Sequence, residues 1–339
     1  MRYLILSLLV IVGVLGPVKA FEIEEQSRFG TAETEDVLRV LSTADLAFIR
    51  PMLLPFLADN PAIAVDYTVA SSSEVMKAIF EEAQSYDLVI SSAMDLQTKL
   101  ANDGLAISYS SPATEALPGW ANWGDLVFAF TQEPAAIVLS NKAFENLPIP
   151  RSRQELLSVL RQNPDVFEGR VGTYDVRKSG LGYLFATQDA RTSETYWRLS
   201  EVMGLLDVQL YASSSTMINA VVSGELAIAY NVLGSYAMNR TDQEAFTLVL
   251  PSDFTTVMLR TALIPVTAKR TDLAGLFIDH LIAQTNAAGP SLLQLGGSNG
   301  QVDENSLRRI RLGPGLLVYL DKFKRRSFVS EWQSAILQD

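Results

Sequence analysis

After a polar lead-in from Phe21 to Glu35, short apolar runs with β-like spacing alternate with stretches whose apolar positions recur at helical spacing. That rhythm predicts a parallel sheet covered by helices. Leu38–Ser42 reads as a strand and Ala44–Ala58 as an apolar helix interrupted at Pro51 and Pro55. A strand at Ala62–Val69, a helix at Glu74–Gln84, a strand at Asp87–Ile90 and a helix at Met94–Asn102 follow, the last closed by Gly104.

From Leu126 to Leu139 the pattern becomes one long extended apolar stretch, broken only at Gln132-Glu133-Pro134, and it leads into a Pro-rich connection at Pro148 and Pro150. The α/β rhythm then restarts. Helices are expected at Ser152–Gln162, Ser179–Gln188, Glu194–Leu205 and Ser215–Val222, and strands at Val171–Tyr174, Val208–Ala212 and Leu226–Tyr230. Phe246–Leu250 and Val257–Val266 are again long extended runs, followed by a covering helix at Asp272–Gln284. Two α/β lobes joined by two extended segments describe a hinged cleft, with ligands at the carboxyl ends of the strands. The expected division is residues 21–127 plus 253–339 for a discontinuous first lobe and 128–252 for the second.

Composition narrows the chemistry. The chain has 339 residues, enough for two domains, and 48% hydrophobic against 19% charged residues describes a folded protein. It has no Cys, which excludes disulfides, thiolate metal sites, Cys nucleophiles and a lipid-bearing cysteine, and its one His, His280, leaves little for imidazole-ligated metals or a triad. The formal charge of −11 argues against a nucleic-acid partner. At the start, Met1-Arg2-Tyr3, the apolar run Leu4–Leu15 and Val18-Lys19-Ala20 fit a signal peptide cut after Ala20, too short for a membrane span. Its removal takes Arg2 and Lys19 and leaves a charge of −13. An exported chain without a lipidated Cys fits a periplasm.

The loops after the strands carry Thr43, Ser71-Ser72-Ser73, Ser91-Ser92, Ser179-Gly180 and Ser213-Ser214-Ser215-Thr216, each just before an expected helix. Each hydroxyl can serve simply as an N-cap. Together, several helix starts facing one cleft would offer free N–H donors and positive dipole ends to a phosphate or carboxylate. Candidate ligand contacts on this basis are Thr43, Ser72, Ser73, Ser91, Ser92, Ser179, Gly180 and Ser214. Arg177 adds a bidentate cation beside Ser179-Gly180, and Tyr230 and Asn231 add a phenol and an amide at a strand end. No catalytic residue, metal ligand or cofactor is expected.

The run Ser223-Gly224-Glu225-Leu226-Ala227-Ile228-Ala229-Tyr230-Asn231, the run Ser179-Gly180-Leu181-Gly182-Tyr183 and the strand and loop Asp87–Asp95 resemble periplasmic solute-binding proteins of ABC transporters. Within these, the chain is similar to the branch related to ferric-iron binders, which also holds hexose-phosphate binders and phosphoglycerate-responsive regulators. The resemblance implies an α/β two-lobed periplasmic-binding-protein fold of type II with two hinge crossovers. It also implies a monomer that presents a small ligand to an inner-membrane ABC permease or a sensor histidine kinase. Iron binders of this branch carry adjacent tyrosines after the strand matching Leu226–Tyr230. Here Asn231-Val232-Leu233-Gly234-Ser235-Tyr236 stands instead, and His280 falls in a covering helix. Ser91, Ser92, Ser179, Gly180 and Asn231 suit the members that hold oxyanions or organic phosphates, with ferric iron as the alternative ligand.

A secreted hydrolase is the alternative of another class. Gly296-Gly297-Ser298-Asn299-Gly300 matches Gly-x-Ser-x-Gly, but it lacks a preceding strand and a later His. Glu81-Glu82 and Asp303-Glu304 read as solvated carboxylates, and no P-loop or dinucleotide fingerprint occurs. Lys322-Phe323-Lys324-Arg325-Arg326 is the one basic cluster and reads as a solvated helix face; Trp120 and Trp123 read as a plug at the base of the first lobe.

Overall fold

Strands that are apolar on both faces must be covered on both, and the chain meets that demand with two sheets, each layered between helices. A computed structural model describes residues 20–31, 33–238, 240–287 and 304–338. The expected signal peptide, the Gly296–Gly300 run and Asp303 lie outside the described residues.

The first sheet is built from β1 (Glu25–Gly30), β2 (Val37–Ser42), β3 (Ala64–Val69), β4 (Leu88–Ser91), β5 (Ala106–Ile107), β6 (Asn122–Trp123) and β7 (Val127–Ala129). The second contains β8 (Glu133–Ser140), β9 (Val171–Tyr174), β10 (Gln209–Tyr211), β11 (Ile228–Leu233), β12 (Phe246–Val249) and β13 (Thr255–Met258). The chain then returns to the first sheet as β14 (Thr261–Pro265) and ends in the second as β15 (Leu307–Arg309). The first sheet has the order β1-β3-β2-β4-β14-β7-β6, with β2 parallel to both neighbours and β14 antiparallel to β4 and β7. The second has the order β10-β9-β11-β8-β13-β15, with β12 also on β8.

The polar lead-in hides an edge strand. Residues Glu25–Gly30 pair antiparallel with β3 while exposing most of their side chains, so apolar periodicity carries no sign of them. The helix Leu46–Asp59 runs through Pro51 and Pro55 instead of breaking. An interior proline costs about 3 kcal/mol in an isolated helix. Here Leu46, Ile49, Leu53 and Phe56 form a buried stripe against the first sheet and the helix Thr271–Ala287, and that burial offsets the cost.

The C-terminal segment departs from the expected division. Residues 253–258 and 304–336 belong to the second lobe: β13 pairs with β8, β15 pairs with β13, and the helix Lys322–Ile336 packs Phe328, Trp332 and Ile336 into the second lobe's core. The reason is apolar surface. The helix Thr195–Leu205 buries Tyr196, Leu199, Val202 and Met203 against earlier helices, and the C-terminal helix completes their cover. The sheets are therefore linked by the two extended crossovers, at 130–132 and 259–260, and once more between residues 287 and 304.

Candidate functional site

The lobes meet along the ends of their helices. Asp45 caps the helix Leu46–Asp59, its Oδ1 accepting from the Phe48 N–H at 3.2 Å, because a short acceptor at this position satisfies one of the free N–H groups of the first turn. Ser71 caps Ser72–Met76 in the same way, Ser179 caps Gly180–Thr192 and Ser213 caps Ser214–Ser223. Each cap oxygen serves its own helix, while the second oxygen of Asp45 and the residues one or two positions beyond the serine caps reach the other lobe.

At these helix starts three hydrogen bonds cross the boundary, besides the Leu312 N–H to the Trp120 carbonyl at 3.3 Å. The main-chain N–H of Gly180 donates to Ser72 Oγ at 2.8 Å, Ser73 Oγ donates to the Lys178 carbonyl at 2.8 Å, and Ser215 Oγ donates to Asp45 Oδ2 at 2.8 Å. Close by, the rings of Phe48 and Tyr236, one from each lobe, stack with centroids 5.7 Å apart and planes 12° from parallel. Thr43 and Ser92 sit in the first lobe's loops, where the Ser92 N–H donates to Thr43 Oγ1 at 3.0 Å and the two hydroxyls lie 3.2 Å apart. Ser91 Oγ accepts from the Ala93 N–H, and Ser214 Oγ accepts from the Leu233 N–H beside the Tyr174 hydroxyl.

The crossovers add a charge pair that local reading of the sequence missed. Arg260 and Glu133, 1% and 0% exposed, form a bidentate pair with Nε to Oε1 at 2.8 Å and Nη2 to Oε2 at 3.1 Å. Thr131 and Ser235 donate their hydroxyls to the same carboxylate. Burial alone would favour loss of the Arg260 proton, but the Glu133 carboxylate overrides it and holds the guanidinium charged. Arg260 also lies over the Phe48 ring at 4.2 Å, and its Nη1 has no hydrogen-bond partner among the described residues. Around it stand Tyr67, Tyr174 and Tyr236. Burial pushes all three phenols up, Tyr236 to about 12, against the pull of Arg260.

Two groups of candidates lie elsewhere. Arg177 turns back on Asp175 with two contacts of 2.8 Å and sits over the Trp332 ring; the Arg177 guanidinium in turn holds the Asp175 carboxyl low despite its burial. Tyr230 and Asn231 belong to a buried network within the second lobe. The Tyr230 hydroxyl donates to Asp189 at 2.8 Å and accepts from Arg153 Nε at 2.8 Å, and Asn231 Nδ2 donates to the same Asp189 oxygen. The register of β11 on β8 shifts between Ala229 and Val232, and Asn231 at that irregularity has φ +62°. Asn231 lines a cavity of about 10 Å³, room for one water, while Asn231 Oδ1 is buried without a partner.

The remaining motifs are structural. His280 contacts the Met52 carbonyl and packs on Phe56 and Phe277 in the first lobe's core, while Trp120 lies under Arg309. Among the described residues, no group of three or more His, Cys, Asp or Glu side chains is placed to hold a metal ion.

The comparisons agree with this architecture. A sequence profile for bacterial extracellular solute-binding proteins matches residues 41–288. The substrate binding protein of the ABC transporter from Agrobacterium tumefaciens is 30% identical, with 92% of this chain and 98% of that one covered and a TM-score of 0.84. AfuA from Actinobacillus pleuropneumoniae, with exogenous fructose-6-phosphate bound, is 16% identical over 89% of this chain and 99% of that one, TM-score 0.67. Iron-bound HitA from Pseudomonas aeruginosa is 15% identical over 88% and 99%, TM-score 0.63. The last two share the fold. No curated protein sequence matches.

Proposed function

The chain belongs to the bacterial extracellular solute-binding proteins, and from that premise we propose that it captures a small anionic metabolite, an organic phosphate or similar oxyanion, by closing its lobes. It then presents the solute to the inner-membrane permease of an ABC transporter, working in the periplasm after export. One observation carries the anionic reading. The Asp45 carboxylate of the first lobe sits at the start of the second lobe's helix Ser214–Ser223, hydrogen-bonded to Ser215. A negative group at a helix N-terminus is the arrangement an anionic ligand would adopt there. The start of Gly180–Thr192 likewise meets an oxygen, Ser72 Oγ.

Ligand capture would exchange these direct contacts for contacts through the solute. Main-chain N–H groups and serines of the two lobes, with Arg260 Nη1, supply the donors. Reversing a 99:1 open preference requires about 5.5 kcal/mol of differential affinity, which a few charge-assisted hydrogen bonds at about 1.5–3 kcal/mol each provide. No bond is made or broken in this cycle, as befits a family of binding proteins.

Calorimetry with inorganic phosphate, hexose phosphates, phosphoglycerates, dicarboxylates and Fe(III) tests the assignment. One-to-one binding of a phosphorylated or carboxylated member is expected. Silence from all of these, with Fe(III) alone titrating to a coloured phenolate complex, would replace it by iron transport.

A further inference from the structure

Two flat rings from opposite lobes face each other at the boundary. Phe48 lies in the first turn of the helix Leu46–Asp59, and Tyr236 lies in the helix Gly234–Met238 that follows β11. Both are only half-buried, although the residues on either side of Tyr236 are buried. Their planes are 12° from parallel. The ring faces, not their edges, therefore form part of the boundary that opens when the lobes part. Beside them are the two groups suited to an anionic arm: Arg260, whose guanidinium covers Phe48 at 4.2 Å, and the helix start at Ser214-Ser215. Asp45 contacts both the Phe48 N–H and Ser215.

We propose that Phe48 and Tyr236 form a two-sided slot for the flat, delocalised ring of the ligand, so that the solute class is an aromatic or heteroaromatic ring bearing a phosphate or carboxylate. The proposal rests on the anion-capture reading and deepens it. Parallel rings closing from two lobes match a planar body on both faces, whereas a puckered saturated ring projects axial hydrogens into at least one of them. Stacking on each face adds to what the anionic arm contributes, and Tyr236 brings a hydroxyl close to Asp45, Glu133 and Arg260 for polar substituents on the ring edge.

Matched probes of equal charge isolate the slot: phenyl phosphate against cyclohexyl phosphate, and benzoate against cyclohexanecarboxylate, each titrated by calorimetry. The aromatic member is expected to bind about tenfold more tightly, the return on two stacked faces. Phe48→Leu and Tyr236→Leu, which keep bulk and lose the π face, are each expected to cut that ratio at least about threefold. Proton resonances of phenyl phosphate bound to the wild-type protein should also move upfield under the ring currents, a readout that needs no variant. Equal affinity within the pairs, or an unchanged ratio in both variants, overturns the slot while leaving anion capture standing. Silence from all four probes also overturns it. Capture itself falls only if inorganic phosphate, hexose phosphates and dicarboxylates are silent as well.

Discussion

Ser72 of the first lobe holds the main-chain N–H of Gly180, at the start of a second-lobe helix, at 2.8 Å. A Cβ at Gly180 would lie 2.8 Å from that same Ser72 Oγ and 2.8 Å from Leu96 Cδ1, both first-lobe atoms. Within its own helix the extra methyl is favourable, by up to about 1 kcal/mol. Gly180→Ala should therefore prop the lobes apart without weakening either one. Small-angle scattering is expected to show a larger radius of gyration than the wild type, with no fall in melting temperature. An unchanged scattering curve would mean that the Ser72 and Leu96 side chains turn aside and the boundary stays shut.

The Arg260–Glu133 pair joins the two crossovers, so its loss should be felt at the hinge. Removing one partner strands a buried charge, which costs about 3–5 kcal/mol, whereas replacing both by apolar residues costs much less. Arg260→Met alone is expected to lower the urea midpoint more than the double variant Arg260→Met with Glu133→Leu. Additive losses would show that the pair is not coupled. If Arg260 Nη1 also meets the ligand, both variants lose affinity, including the one whose stability recovers.

Tyr230 separates a structural role from a binding one. Its hydroxyl lies between Arg153 and Asp189, and both of those charges are buried. Tyr230→Phe removes one hydrogen-bond partner from each and should cost about 1.5–3 kcal/mol of stability. Anion affinity should stay within about twofold of the wild type. A large loss of affinity with unchanged stability would put Tyr230 back among the ligand contacts.

Much of this was written locally. The helix Met94–Asn102 and the strand Val171–Tyr174 match their expected limits because apolar spacing and a bounding glycine or turn mark them. Ser152, Ser179 and Ser213 cap the helices they precede, since a serine before an amphipathic run has one favoured use. The return of the C-terminus to the second sheet has no such mark: β15 is Leu307-Arg308-Arg309, and only its partner β13 makes it a strand. Arg177 was captured by a neighbour two residues away, which spacing alone does not reveal. Arg260 and Glu133, 127 residues apart, did leave a signal. Each is a lone charge inside an apolar extended run, and a buried charge demands a partner.

Asp95 is expected to make closure sensitive to pH. It lies in the first turn of the helix Met94–Asn102, is 3% exposed, and has Oδ1 without a hydrogen-bond partner. That helix packs against the second lobe's segment Pro314–Leu320 and the start of Gly180–Thr192, so the groups facing Asp95 from the other lobe are Arg325 and Tyr183. Burial raises its carboxyl from 3.8 to about 7, more than the helix's own N–H groups and Arg325 lower it. When the lobes part, the carboxyl regains water and returns toward the ordinary value. The closed form then holds a proton that the open form has released between about pH 4 and 7. Above pH 7 closure bears the full cost of burying the charge, and below about pH 4 it bears none. Closure should therefore grow easier as pH falls, by up to about 1.4 kcal/mol per unit within the window. An interlobe distance followed by paired spin labels should shorten on acidification from pH 7.5 to 5. Asp95→Asn should hold the short distance throughout, and a wild-type profile in that variant would move the pH response away from Asp95.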